Sequence, residues 1–279
     1  MAVITVSRGS FSGGLKLAEC AAARLGYRCL DRDAIVEKAS AYGVSLAGLE
    51  DAVERPPTLW DQFRHTKYVY LSLIQAALAE GVREGNAVYH GTAGHLLLRG
   101  VSHVMRLRII APMDFRIAAM QTRYPQTAAE ADARIRKIDR DRQQWAHYLY
   151  GIDWSDASLY DLVVNLEHLS IEQASEIIAA TARQDAFKET AESRAAMDNL
   201  VLASRVQAHL AVTPETLHLE VEVEARHGTV VIRGTWAGGT QADEVRAVAS
   251  AVPGVIGVEV VEPAEARSPH GTAGAAVGE

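Results

Sequence analysis

From residue 2 to residue 181, short apolar runs rich in β-branched residues alternate with longer stretches whose apolar positions recur every three or four residues. The short runs predict strands at Ala2–Ser7, Tyr27–Leu30, Asn86–Tyr89, Val104–Ile110 and Leu162–Asn165. The longer stretches predict helices at Leu15–Leu25, Arg32–Ala41, Tyr68–Glu84, Asp114–Tyr124, Ala128–Tyr148 and Ile171–Ala182. Pro56-Pro57 marks a loop, and Pro112 and Pro125 bracket one helix. Such alternation implies an α/β unit over residues 1–182, with a mostly parallel sheet flanked by helices.

The pattern then changes. Arg183–Met197 is polar and alanine-rich and reads as a helical connector over residues 183–197. A second, smaller α+β unit follows over 198–263. Its predicted elements are a helix at Asn199–Leu210, strands at Leu217–Ala225, Val230–Gly234 and Val255–Val261, and a helix at Ala242–Ala251. Apolar alternation at Leu217, Val221 and Val223, then Val231 and Ile232, predicts a sheet with one face packed under two helices. The tail 264–279, rich in Gly, Ala and Ser, reads as disordered.

A chain of 279 residues with 48% apolar content can bury one large or two modest cores. No apolar run approaches the roughly 20 residues that span a membrane. The opening residues lack the basic flank and cleavage site of a signal peptide, so the expected location is cytoplasmic. The two cysteines, Cys20 and Cys29, have the spacing of neither a disulfide framework nor a zinc site, and read as small buried hydrophobes. A net charge of −7 argues against general nucleic-acid binding, but local basic clusters can still hold a phosphate ligand.

The candidate chemistry begins in the first strand. Ile4-Thr5-Val6-Ser7-Arg8 runs into Gly9-Ser10-Phe11-Ser12-Gly13-Gly14 and then directly into a helix. In such a turn, consecutive backbone N–H groups and the positive end of the helix form a concave anion site. The G-x-x-x-x-G-K-[ST] pattern is broken, however: Gly14 stands at the lysine position and Leu15 at the Ser/Thr position. Lys16 lies two positions further on, about 200° around the helix, and points away from the phosphates. The competing reading is a Gly/Ser turn that joins a strand to a helix and binds nothing.

Further blocks follow in order. They are Leu25-Gly26-Tyr27 with Asp31-Arg32; Ile110-Ala111-Pro112 leading to Arg116; Lys137-Ile138-Asp139-Arg140-Asp141-Arg142; and Asp153-Trp154 with Tyr160-Asp161-Leu162-Val163-Val164-Asn165. Together with Ser7-Arg8 and Ser12-Gly13-Gly14, they resemble the cytidylate kinase-like family, a branch of the P-loop nucleoside monophosphate kinases, over nearly all of residues 2 to 180. Glycine at the lysine position is common in that family.

The resemblance implies a nucleotide phosphotransferase using ATP and Mg²⁺, with nucleotides as its small-molecule partners. Arg8, Ser10, Phe11, Ser12, Gly13, Gly14 and Leu15 would bind the donor phosphates. Arg140, Arg142 and Asp139, on a helix that serves as a lid in nucleotide kinases, would be catalytic. Asp31, Arg32 and Arg116 would face the acceptor, and Asp31 would also hold the metal. Asp31 equally suits a helix N-cap, and the lid cations equally suit pairing with Glu130, Asp132, Asp139 and Asp141. One departure stands out: Thr92 occupies the place of an arginine that contacts the monophosphate in family members, and threonine cannot reproduce a bidentate guanidinium grip. His90 or His95 could supply charge there, although a histidine near a strand end is more often structural.

The second unit resembles a BON domain through Gly228-Thr229-Val230-Val231-Ile232-Arg233-Gly234 and Val252-Pro253-Gly254-Val255. Those residues mark a fold rather than a reaction. Glu220, Glu222 and Glu224 along one strand disfavour an anionic membrane, which leaves a regulatory role, homo-oligomerisation, or protein or ligand contact. The rival function is a non-catalytic nucleotide sensor that signals to this second unit.

Overall fold

The computed structural model describes residues 2–45, 64–91, 93–236 and 238–261. Pro56-Pro57, Thr92 and the tail 264–279 lie outside the described residues. Five strands, β1 (Val3–Arg8), β2 (Arg28–Leu30), β3 (Ala87–Tyr89), β4 (Val104–Ile110) and β5 (Leu162–Asn165), form one sheet in the order β2-β3-β1-β4-β5. Every pairing in it is parallel, with Thr5 opposite both Tyr89 and Arg106. All five C-terminal ends therefore share one edge. The chain leaves β1 toward β2 on one side and crosses from β3 to β4 on the other, so the C-terminal end of β1 is the topological switch point where open α/β sheets bind ligands.

The period of two decides which helices cover which face. Ile4 and Val6 pack with Met105, Leu107, Ile109 and Val164 against α1 (Gly14–Leu25) and α7 (Ile171–Ala182), through Leu17, Ala18, Ala21, Ala174 and Ile178. Val3, Ala87, Tyr89 and Val104 face the opposite layer of α2 (Arg32–Ser40), α3 (Arg64–Val82) and the short α4 (Gly94–Leu97). Both faces are covered, which is why these strands read as near-continuous apolar runs.

The helices α5 (Met113–Arg123) and α6 (Ala128–Tyr150) form a hairpin with a small core of its own, built from Met120, Ala131 and Ile135. Thr127 and Glu130 start α6 with a reciprocal capping box. Phe11, from the loop after β1, packs against this hairpin core.

Beyond α7, the 22-residue helix α8 (Ala191–Val212) takes in both the end of the expected connector and the expected helix at Asn199–Leu210. Met197, Val201 and Ala208 belong to the α2–α3 layer, whereas Leu202, Val206 and Leu210 belong to a separate cluster with Val230, Ile232, Val245 and Ala249. That cluster lies between α8, α9 (Gly239–Ser250) and a sheet of β6 (Glu222–Arg226), β7 (Thr229–Arg233) and β8 (Gly257–Val261). β6 and β7 are antiparallel, and β7 and β8 parallel. The two-helix cover predicted for this sheet is present.

Three local expectations are corrected. The strand expected from Leu217 begins at Glu222, because Leu217 N–H donates to Thr213 O (2.7 Å) and Thr216 Oγ1 donates to Leu210 O (2.8 Å), folding residues 213–219 into turns and leaving Leu217 exposed. Helix α4, which follows Ala93 at a φ of 57°, was not expected from the pattern. Cys20 is half-buried and Cys29 exposed, so neither is a core hydrophobe.

Candidate active site

The loop after β1 has the conformation its sequence suggested. Phe11 (φ 59°) and Gly13 (φ 78°) are both left-handed, and Ser12 closes the turn by donating from its N–H (3.3 Å) and its hydroxyl (2.9 Å) to Gly9 O. With the N–H groups of Gly9, Ser10 and Ser12 donated inside the protein, the turn leaves those of Phe11, Gly13 and Gly14 with no acceptor among the described residues, the kind of donors an anion nest uses. Gly13 caps α1 with no side-chain hydrogen bond. The first N–H groups of α1 therefore lack an intramolecular acceptor and add the positive end of the helix dipole to the nest. Lys16 is exposed and lies near Glu172, toward α7 and away from the loop, as its helical rotation required.

A polar seam joins the hairpin to this loop. Asp139 on α6 accepts from Ser10 N (3.3 Å) and Ser10 Oγ (3.0 Å) through one oxygen, and pairs with Arg116 Nη2 through the other. Arg116, 9% exposed, also donates from Nε to Ser10 O (2.7 Å), and its guanidinium covers Gly9. Arg142 donates to Arg8 O (3.4 Å). Burial and the neighbouring Arg8 push Arg142 below its usual pKa, and burial together with Arg123 does the same to Arg8. Both remain cations, since an arginine in a protein does not deprotonate.

The sequence-predicted residues thus separate. Arg8, Ser10, Phe11, Ser12, Gly13 and Gly14 form the loop, and Asp139, Arg142 and Arg116 are brought to it. Arg140 is exposed and pairs with no described residue. Leu15 is exposed at the helix start and brings only its backbone N–H. Arg136 pairs with Asp132 (2.9 Å) and Lys137 with Asp141 (2.9 Å), the surface pairing foreseen for such a helix, while Arg134 stacks on Tyr124 with its Cζ 4.7 Å from the ring centre.

On the β2–β3 side, Asp31 caps α2 by accepting from Ala34 N (2.8 Å) through Oδ1. Its second oxygen makes no described hydrogen bond. A single carboxylate oxygen on this edge fits Mg²⁺, which takes most of its shell from substrate phosphates and water. Arg32 lines a small cavity with Tyr70, Tyr89, Ile74 and Leu97. Neither histidine supplies charge here. His95 is pulled down to about 4 by burial and by Arg99, Arg106 and Arg108, and His90 is lowered by burial and by Arg8, so both are neutral near pH 7.

Two features were not read from the sequence. One is the seam itself, since Ser10 and Asp139 are 129 residues apart and no periodicity couples them. The other is the setting of the Asp153-Trp154 and Tyr160-Asp161 block, which is structural. Arg108 lies 4.8 Å from the Trp154 ring centre, Arg106 pairs with Asp161 (2.6 Å), and Tyr160 OH donates to Trp154 O (2.8 Å).

The chain is similar to known proteins in sequence and in fold. The chain is 29% identical to a cytidylate kinase of Methanosarcina mazei over 140 residues, covering 49% of this chain and 71% of that protein. It is 27% identical to a cytidylate kinase of Ignicoccus hospitalis over 181 residues, covering 64% of this chain and 97% of that one. A crystal structure of an uncharacterized protein from Eubacterium ventriosum shares the fold at a TM-score of 0.52 and 14% identity, covering 65% of this chain and 97% of that one. Residues 3–168, more than half of the chain, match the cytidylate kinase-like family, and with the parallel sheet and glycine loop in place the chain belongs to that family.

Proposed function

We propose that this protein transfers the γ-phosphate of ATP to a nucleoside monophosphate. The observation that carries this reading is the convergence on one loop of an uncapped helix start, an anion nest and two buried-to-half-buried arginines, Arg8 and Arg142, at the sheet's switch point. In phosphoryl transfer most of the acceleration comes from positioning and from neutralising charge, and these groups supply both. The N–H groups of Phe11, Gly13 and Gly14 hold the donor phosphates. An acceptor phosphate oxygen bonds to the γ-phosphorus while the bond to the β–γ bridging oxygen breaks, and ADP leaves with that electron pair. Arg142 steadies the charge on the moving group, and Arg140 joins it when the lid closes further.

Asp31 and Arg32 orient the acceptor from the β2 side, and Arg116 supports the loop from beneath. Mg²⁺ bound with ATP would supply further charge neutralisation, and Asp31 would hold it through the carboxylate oxygen its cap leaves over. In this reading residues 198–263 are a BON-like module with a regulatory or oligomerising role, consistent with a three-stranded sheet covered by two helices on one face.

The test is chromatographic detection of nucleoside diphosphate after incubation with MgATP and a panel of monophosphates, beside Gly13→Asp, which forces a side chain and a negative charge into a left-handed position of the nest. Product that is absent from the control establishes the transfer and names the acceptor. ATP binding without product from any acceptor overturns it in favour of a nucleotide sensor.

A further inference from the structure

The loop lacks the lysine that ordinarily reaches the donor phosphates, and the structure shows what fills its space. Arg8, the last residue of β1, lays its side chain across Gly14. A Cβ built on Gly14 would fall 2.6 Å from Arg8 Cδ, 2.9 Å from Arg8 Cβ and 3.3 Å from Arg8 Cγ. Contacts below about 3 Å require something to move, and Arg8 Cβ is fixed to the strand backbone, so a side chain at 14 and the present path of Arg8 exclude each other. The methylene stem of Arg8 thus passes through the volume a residue-14 side chain would need, and carries a guanidinium past the glycine.

That guanidinium has no carboxylate partner among the described residues. Arg123 acts on it, and Arg142 beside it feels Arg8, Arg116, Arg32 and the carboxylate of Asp139. Asp139, the acidic group that faces this loop, is taken by Ser10 and Arg116. Like charges gathered in a half-buried place with a single carboxylate, Asp139, beside them are costly, and a phosphate chain at the loop lowers that cost.

We infer that Arg8 is this chain's phosphate-loop cation, acting in place of the missing lysine, and that glycine at 14 is the condition for it. Arg8 and Gly14 form a reciprocal pair: one end of the loop holds a cation because the other end holds no side chain. A planar guanidinium can grip two phosphate oxygens at once, which a lysine ammonium cannot do in the same geometry. This assignment rests on the donor-phosphate reading of the loop given above.

The experiment is calorimetric titration of MgATP into the full chain at fixed ionic strength, with thermal unfolding of each variant alongside. Arg8→Gln keeps the stem over Gly14 and removes the charge. It is expected to weaken MgATP binding about 10- to 100-fold with a melting temperature no lower than the parent's. Gly14→Lys alone is expected to bind poorly because two side chains compete for one volume. Arg8→Gly with Gly14→Lys is expected to recover binding to within about 5-fold of the parent, since only glycine at 8 removes the Cβ as well as the stem and makes room for the lysine. Equal binding by the parent and Arg8→Gln overturns the assignment alone. A folded double variant that binds no better than Gly14→Lys overturns the reciprocal pairing. Absence of MgATP binding in the parent overturns the loop reading and this assignment together.

Discussion

The central sheet and the α5–α6 hairpin meet at one loop but are held together by different forces. The sheet is sealed on both faces by apolar clusters in which Ile4, Met105, Leu107 and Ile109 are fully or almost fully buried. The hairpin has a buried core of Met120, Ala131 and Ile135, and is fastened to the sheet by Phe11 and by the charged seam of Asp139, Arg116, Ser10 and Arg142. Apolar burial is non-directional and scarcely responds to a ligand's charge. A seam of charged hydrogen bonds is directional and competes with any anion that enters the nest. The difference teaches that this protein keeps its stability in the sheet and its responsiveness in the hairpin, which is where local opening is least costly.

The sharpest way to break that contrast is Arg142→Glu. Turnover should fall by about 1,000-fold or more, as for other arginines that face a transferring phosphoryl group. The melting temperature should stay within about 2 °C, because the change lies outside both large cores. A variant that unfolds early would place Arg142 in the frame instead. The converse substitution is Leu107→Ala, which should cost the whole protein about 2–5 kcal/mol in urea unfolding. Ile135→Ala removes similar bulk from the hairpin, and is expected to speed amide exchange in α5 and α6 while the slowest amides of β1 and β4 keep their protection.

The frame also carries a pH dependence. In the unfolded chain His95 titrates near 6.5, and in the folded protein near 4, owing to burial and the arginines around it. Between those values the unfolded chain binds more protons, so this contribution is complete above about pH 6.5 and is lost as the pH falls toward 4, by at most about 3 kcal/mol. Urea unfolding at pH 7.5 and pH 5 measures it, and His95→Gln should flatten the difference. The smallest effect belongs to the outer face of the hairpin. Lys137→Ala removes an exposed i,i+4 pair with Asp141 and should change stability by no more than about 0.5 kcal/mol, by the same urea assay.

How much of this was legible in the chain follows from what fixes each element. Strands buried on both faces declare themselves as apolar runs, and α6 announces its start through Thr127 and Glu130, so the sheet and this helix could be read directly. The loop could be read because Gly13 supplies the left-handed turn that the nest needs. The seam could not, since Ser10, Arg116 and Asp139 meet only after the sheet has formed and α5 has folded back over its edge. Nor could the packing of Arg8 on Gly14, because five residues of loop reverse direction between them. Thr213-Pro214 misled in the other direction: the alternating apolar positions after them resemble a strand, but Thr216 turns the backbone back onto the end of α8.

The long helix α8 carries one more consequence, for how this protein can be divided. Met197, Val201 and Ala208 cover the α3 layer, and Tyr68 on α3 exchanges hydrogen bonds with Val221 N and O, each at 3.1 Å. A fragment ending at residue 182 would keep the loop after β1 and all of α6, yet leave α3 with a bare apolar flank. Such a fragment should be sticky in solution, whereas one carried through Val212 keeps that flank covered. Yet a cut after this helix bares Leu202, Val206 and Leu210 in turn, so α8 belongs to both cores and the chain has no clean point of division beside it.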